Sequence, residues 1–374
     1  MEEYYYNQLN KTGREAYHAI LTGLKSLAPS FRIPLLENKE LTEIYFSVRM
    51  DHPEIFYTVE FKYRYHNGAE YGEMMPVYLS DRKKIPAQQQ AMRSRIEKLV
   101  RQAAEAKEVS FGSPRGRNAG AAGHWSGGGH GGKGKQGQIR NEKEIAKLLF
   151  IHDFICGNVR YDKLKKPYSH EITGPLEQGI GVCEGIAKTF KILCDALGIW
   201  CVMALSDNNP DKKIKYRHTW NIVRIGGQYY HIDSTFDNTL GKPDSIRYDY
   251  FMLSDKQLFR DHEPVIYRMP ACPDGDRFYY KAAGLSLTKT EDVRKKAAQA
   301  AKKGKEMTFH WRGGYLTREV LAELLAIIEE EAEKKERHAR LSINRPQAVL
   351  RISFEKVIPA EQIVMEEANE GEKN

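Results

Sequence analysis

Between two stretches of alternating apolar residues the chain carries Ile225-Gly226-Gly227-Gln228. Paired glycines flanked by strand-forming residues are the tightest constraint in this sequence. They permit the positive φ angles of a two-residue hairpin turn, so YRHTWNIVRIGGQYYHIDSTFD reads as two antiparallel strands with a set register. Ile225 then faces Gln228, Trp220 faces Asp233 and His218 faces Thr235. His218 and Asp233 project from one face as diagonal neighbours, with Cβ atoms roughly 6–8 Å apart. That is within reach of an imidazole–carboxylate hydrogen bond. A four-residue loop over 225–228 keeps the arrangement, whereas a one-residue slip would put the pair on opposite faces.

Upstream, GIGVCEG leads into the helical run IAKTFKILCDALG, which ends at Gly198. Ile186, Phe190, Leu193 and Leu197 form its apolar stripe, at steps of four, three and four. Cys183 lies three residues before Ile186 and therefore starts the stripe, beside the unpaired amides of the first turn, where the helix dipole favours a thiolate. Cys194 and Cys201 read as ordinary buried thiols. A helix-mouth thiol, an imidazole and a carboxylate together make a nucleophilic set. The imidazole takes the thiol proton and returns it to a leaving amine, while the carboxylate fixes the ring's tautomer. The five cysteines are an odd number without a CxxC pair, and HExxH is absent. That pattern speaks against a disulfide framework and a zinc site, so no metal or cofactor is expected.

GVCEGIAKTFKILCDALGI and HTWNIVRIGGQYYHIDSTFD resemble the core of the transglutaminase-like superfamily, with its papain-like Cys-His-Asp arrangement. The resemblance covers about 140–265, including NVRYD at 158–162 and the closing Asp261-His262. A fainter likeness to bacterial multidomain members is carried by DHPEIFY at 51–57. It implies Cys183 as nucleophile, His218 as general base and acid, and Asp233 as orienting carboxylate. The fold it implies is α+β: a cysteine helix packed on an antiparallel sheet, flanked by smaller α/β regions. The backbone amide of Cys183 is expected among the oxyanion donors. Gln178, five residues upstream of Cys183, resembles the glutamine of papain-like enzymes and is a candidate oxyanion or substrate-binding residue. Trp220 is a candidate wall of the acyl site, Tyr161 is read as structural, and Asp237 is the reserve carboxylate.

Helical spacing predicts helices over 8–28, about 86–107 and from 140, the last marked by Ile145, Leu148, Leu149, His152 and Ile155. Tyr57, Val59, Phe61, Tyr63 and Tyr65 alternate as one strand face, and further strands are expected near 75–80, 200–206, 217–225 and 228–236. The segment 111–137 holds eleven glycines and almost no large apolar side chains, so it is expected to be a flexible insertion. Leu316, Val320, Leu321, Leu324 and Ile328 mark a C-terminal amphipathic helix, and Leu350, Ile352 and Phe354 a strand, before an acidic tail expected to fray. The expected organisation is an N-terminal region 1–110, the insertion 111–139, the catalytic core 140–281 and a C-terminal region 282–374.

Composition narrows the class. With 41% hydrophobic and 29% charged residues, the chain reads as a globular protein with no membrane-spanning run. Its start, MEEYYYNQLN, lacks the basic and apolar regions of a signal peptide, and a cytoplasmic location is expected. The net charge of +8 is scattered beside acids and does not point to nucleic acid. The expected partner is a peptide or protein substrate. Water as acceptor makes the protein a cysteine peptidase or amidase, the preferred reading because water needs no second substrate pocket. A lysine amine as acceptor would make it a transglutaminase, and a catalytically idle peptide-binding module is the third reading. Asp233→Asn is expected to be milder than loss of Cys183 or His218.

Overall fold

The computed structural model describes residues 2–66, 68–105, 135–214 and 217–356. The glycine-rich stretch up to residue 134 and the acidic tail lie outside the described residues, so the expectations about both have no counterpart here. The chain forms two compact units, the first extending to Tyr279 and the second beginning at Tyr280.

The first unit opens with helix α1 (Lys11–Lys25), whose buried face is Ala16, Tyr17, Ile20 and Leu24. Its first turn is capped by Asn10, which accepts a hydrogen bond from the Gly13 amide at 2.7 Å. Strand β1 (Phe31–Pro34) and helix α2 (Asn38–Asp51) follow. Then come β2 (Thr58–Arg64), β3 (Tyr71–Tyr78) and α3 (Ile85–Glu105). The three strands form an antiparallel sheet in the order β1-β3-β2.

The elements that carry the site come next. Helix α4 (Lys135–Asn158) begins inside the glycine-rich stretch and runs to the short strand β4 (Arg160–Tyr161). That strand pairs in parallel with β5 (Ile180–Gly181), immediately before α5 (Cys183–Ala196). A four-stranded antiparallel sheet then forms in sequential order from β6 (Cys201–Ser206), β7 (His218–Ile225), β8 (Gln228–Ile232) and β9 (Phe251–Leu253). All six residues of β6 are buried, as in a strand covered on both faces. Helix α5 packs on this sheet, and Asn221 ties them by donating from Nδ2 to the Ala187 carbonyl at 3.0 Å. The architecture is thus α+β, with the cysteine helix on an antiparallel sheet.

The hairpin has the predicted register: Ile225 pairs with Gln228, and Gly226 and Gly227 take φ of +60° and +83°. Its second strand is shorter than expected. It ends at Ile232, and residues 234–236 lie in helix α6 (Ser234–Leu240) instead of continuing the strand. The cause is local: the Asp233 carboxylate accepts from the Thr235 and Phe236 amides and so starts a helix there. Helix α7 (Asp255–Leu258) follows β9, and α8 (Tyr279–Ala282) spans the sequence junction of the two units.

The second unit holds β10 (Ser286–Leu287), α9 (Thr290–Lys303), β11 (Met307–Trp311), α10 (Arg318–Glu333), β12 (Arg337–Asn344) and β13 (Val349–Lys356). Its sheet order is β10-β11-β13-β12, parallel only between β10 and β11. Val293 and Ala297 of α9, Leu324 and Ile328 of α10, and Phe309 and Ile352 of the sheet form its own apolar core. Among the described residues no helix is long and apolar enough to cross a membrane.

Candidate active site

The approach to Cys183 is built from close contacts that only small residues tolerate. In the first turn of α5 a Cβ on Gly185 would lie 2.2 Å from the Ser169 carbonyl oxygen, so this position must be glycine for the helix to rest on the 169–171 loop. Val182 anchors the same contact by donating its amide to Ser169 O at 3.0 Å. Cys183 is partly exposed, whereas Cys156, Cys194, Cys201 and Cys272 are buried.

His218 opens β7, and its Nε2–H donates to Asp233 Oδ2 at 2.5 Å. The Cys183 thiol lies close enough to the ring to influence its protonation. Since Nε2 is committed to the carboxylate, Nδ1 is the nitrogen left to face the sulfur. The three side chains selected from the sequence therefore meet as Cys183–His218–Asp233. Burial disfavours the charged ring, but the Asp233 carboxylate, and then the nearby Cys183, outweigh it and push the His218 pKa up to about 10.

Asp233 is fully buried and receives four hydrogen bonds. Oδ1 accepts from the Thr235 and Phe236 amides at 2.8 and 3.1 Å. Oδ2 accepts from His218 and also from His262 Nε2, at 2.9 Å. Burial alone would raise its pKa, yet His218 and then His262 hold it well below the usual carboxylate range. Its place between a strand end and a helix start fixes the oxygen positions more firmly than a strand residue could.

Trp220 stacks on His218, with ring centroids 5.7 Å apart and planes 20° from parallel. It is 1% exposed, and its Nε1–H donates to His231 Nδ1 at 3.1 Å. His231 in turn donates from Nε2 to Asp255 Oδ1 at 2.8 Å. Trp220 is thus a buried floor for the imidazole. Gln178 ends the π-helical turn Gly174–Gln178 and is exposed. Tyr161 pairs with Gly181 in the β4–β5 ladder. Burial, then the nearby Cys183, Asp162 and Asp233, push its hydroxyl pKa upward. Asp237 is engaged elsewhere: it accepts from His152 Nε2 at 3.0 Å in a fully buried cluster with Cys156, where burial pushes it up to about 7.

An ion cluster not foreseen from the sequence braces the start of α5. Glu184 pairs with Lys188 at 2.8 Å and with Arg49 of α2 at 3.8 Å, and accepts from His170 Nδ1 at 3.2 Å. The buried Glu171 completes it through Lys188, also at 2.8 Å, and Arg49. Burial would raise the Glu184 carboxyl, but Lys188, His170 and Arg49 hold it far below its ordinary value. Glu184 thus joins the first turn of α5 to α2 and to the 169–171 loop.

Among the described residues, two side-chain groups bring three ligand-type atoms within 4.8 Å of one another: His218, Asp233 and His262, and His231, Asp255 and Cys272. In the second, Trp220 is a donor to His231 Nδ1, so a metal on Nε2 would leave that ring without a proton on either nitrogen. In the first, His262 and His218 already aim N–H groups at one carboxylate oxygen. Both donor sets fit hydrogen-bond networks better than an ion.

Residues 135–234, which include all three residues of the set, match the model of the transglutaminase-like superfamily. Kyphoscoliosis peptidase of Mus musculus is 24% identical over 138 residues, 32% of this chain and 21% of that protein, so the chain spans about a fifth of the relative's length. Among solved structures, one described as a TGase shares 13% identity over 48% of this chain and 44% of its own, with a TM-score of 0.24. A presumed cysteine protease from Cytophaga hutchinsonii shares 16% identity over 47% of this chain and 62% of its own, with a TM-score of 0.23.

Proposed function

On the premise that residues 135–234 carry a transglutaminase-like core, we propose that this protein cleaves amide bonds of a peptide or protein through a Cys183 thioester. His218 Nδ1 accepts the thiol proton, and the sulfur attacks the carbonyl carbon. The tetrahedral intermediate collapses by breaking the C–N bond, and the imidazolium gives its proton to the departing amine. Water, deprotonated by the same ring, then attacks the thioester, releasing the acid and restoring the thiol. Asp233 keeps Nε2 protonated throughout, so that Nδ1 alone exchanges protons with the reacting atoms.

The observation that carries this reading is that Nε2 of one ring is bonded to a buried carboxylate, which leaves Nδ1 for the nearby Cys183, the only partly exposed cysteine among the described residues. The partial likeness to a peptidase points the same way. Incubation with a peptide library, with and without a labelled primary amine, tests it by mass spectrometry, with Cys183→Ala as the blank. Cleavage products absent from the blank are expected. Amine adducts without cleavage would instead make an amine the acceptor, and no Cys183-dependent product would leave only a peptide-binding role.

A further inference from the structure

The Asp261-His262 pair has no part in the steps above, yet it touches the same carboxylate. His262 is 6% exposed and lies between two acids: Nε2 faces Asp233 Oδ2 at 2.9 Å and Nδ1 faces Asp261 Oδ1 at 2.8 Å. A neutral imidazole has one N–H and could satisfy one of these oxygens, leaving a lone pair against the other. Only the imidazolium satisfies both. Asp261 is itself held, its Oδ2 accepting from the Tyr250 hydroxyl at 2.5 Å.

We propose that His262 is a positioning residue of this site, a cation clamped between Asp233 and Asp261 that fixes the shared carboxylate and moderates its grip on the His218 proton. The titratable groups around it fit a cation. Asp233 approaches from the head of α6 and Asp261 from its own segment, against His218 from β7 and the more distant His231 from β8. Tyr250 packs alongside as a neutral hydroxyl, and the Phe236 ring lies 4.4 Å away, centroid to centroid. Burial works against the charge, but the bonds to Asp233 and Asp261 outweigh it and raise the His262 pKa.

The consequence concerns His218. A carboxylate oxygen shared with a second cation attracts the His218 proton less strongly than an unshared one. Without the second cation the carboxylate would hold the His218 proton more tightly still, so the clamp limits how far that ring's proton affinity rises while keeping it oriented. This inference rests on His218 and Asp233 acting as base and orienter, but its test reads ring protonation and not turnover, so the two can fail separately.

The test is a nitrogen-15 histidine titration of the full chain by NMR. In the wild type, both His262 nitrogens are expected to be protonated between about pH 5 and 8. In His262→Gln, whose amide can still donate to Asp233, the His218 midpoint is expected to rise by about one pH unit. In Asp261→Asn, the His262 midpoint is expected to fall. A neutral His262 ring at pH 7 in the wild type, which needs no variant to observe, would overturn the proposal. So would an unmoved His218 midpoint in a folded His262→Gln protein.

Discussion

At the scale of single residues, the structure changes what Asp233 is expected to do. From the sequence, Asp233→Asn looks mild, because an amide can still orient a ring. In the fold, Asp233 Oδ2 accepts from two imidazole N–H groups and Oδ1 from two backbone amides. An asparagine can keep the helix cap with its oxygen, but its NH₂ would then confront both histidine donors. His218 would have to take the other tautomer, with its proton on the nitrogen that faces the thiol. Turnover is therefore expected to fall on the order of 10³–10⁴-fold in a protein that still folds but melts at a lower temperature, as measured by initial rates and thermal unfolding. A tenfold effect or less would mean that the carboxylate's charge is not what orients the ring. The same pair gives stability a pH dependence. His218 is raised from 6.5 to about 10 in the fold, so its contribution is complete below the lower value and is lost as pH climbs through the higher one. Urea unfolding of wild type and His218→Ala should accordingly differ by up to a few kcal/mol at pH 6 and converge towards about pH 10. His218 and Asp233 were legible because a two-glycine turn fixes pairing locally. The role of His262 was not, although the closing Asp261-His262 pair belongs to the family resemblance, because 29 residues separate it from Asp233 and no spacing rule links them.

At the scale of elements, the position of the thiol depends on how the first turn of α5 is seated. Gly185 lets the helix rest against Ser169, and the Arg49–Glu171–Lys188–Glu184 cluster joins that turn to α2. Gly185→Ala forces a Cβ into the Ser169 carbonyl and is expected to cost about 1–3 kcal/mol. Because the strain falls two residues from Cys183, iodoacetamide labelling of that thiol should slow as well; unchanged labelling in the variant would show that the seat does not control the sulfur. Arg49→Met removes a cation from beside a fully buried carboxylate, and an unfolding loss of about 3–5 kcal/mol is expected by chemical denaturation. A loss below about 1 kcal/mol would mean that Lys188 alone neutralises Glu171. Helix α2 escaped the sequence reading although Leu41, Ile44, Tyr45 and Val48 recur at steps of three, one and three, and all are buried. That signal was present in the pattern. The ion cluster is another matter, since Arg49 and Glu171 lie 122 residues apart and only the fold brings them together. The truncated second strand of the hairpin lies between these cases: Asp-Ser-Thr is a helix-start signal, but it competed with an alternating run that equally suited a strand.

For the whole molecule, the division into two compact units separates the proposed chemistry from the rest of the chain. Cys183, His218, Asp233, His262 and the Arg49 cluster all belong to the unit that ends at Tyr279. The unit from Tyr280 onward has its own sheet, two helices packed together and an apolar core in which Val293, Ala297, Phe309, Leu324 and Ile352 are fully buried. A core of that kind, with four strands and two helices, meets the requirement for folding alone. With fewer than about 80 residues in its described part, it should be only a few kcal/mol stable. A chain covering 280–374 is expected to unfold in one cooperative urea transition monitored by far-ultraviolet circular dichroism. A non-cooperative slope would show that its core depends on the first unit. The complementary chain, 1–279, holds every group assigned a role in acyl transfer, so it should retain Cys183 alkylation that responds to His218→Ala as the full chain does. If cleavage of long polypeptides then falls while cleavage of short peptides persists, the second unit contributes to substrate selection and not to the chemistry. If both fall together in a folded 1–279 chain, the reacting groups need support from beyond Tyr279, and the separation of site from partner unit is wrong.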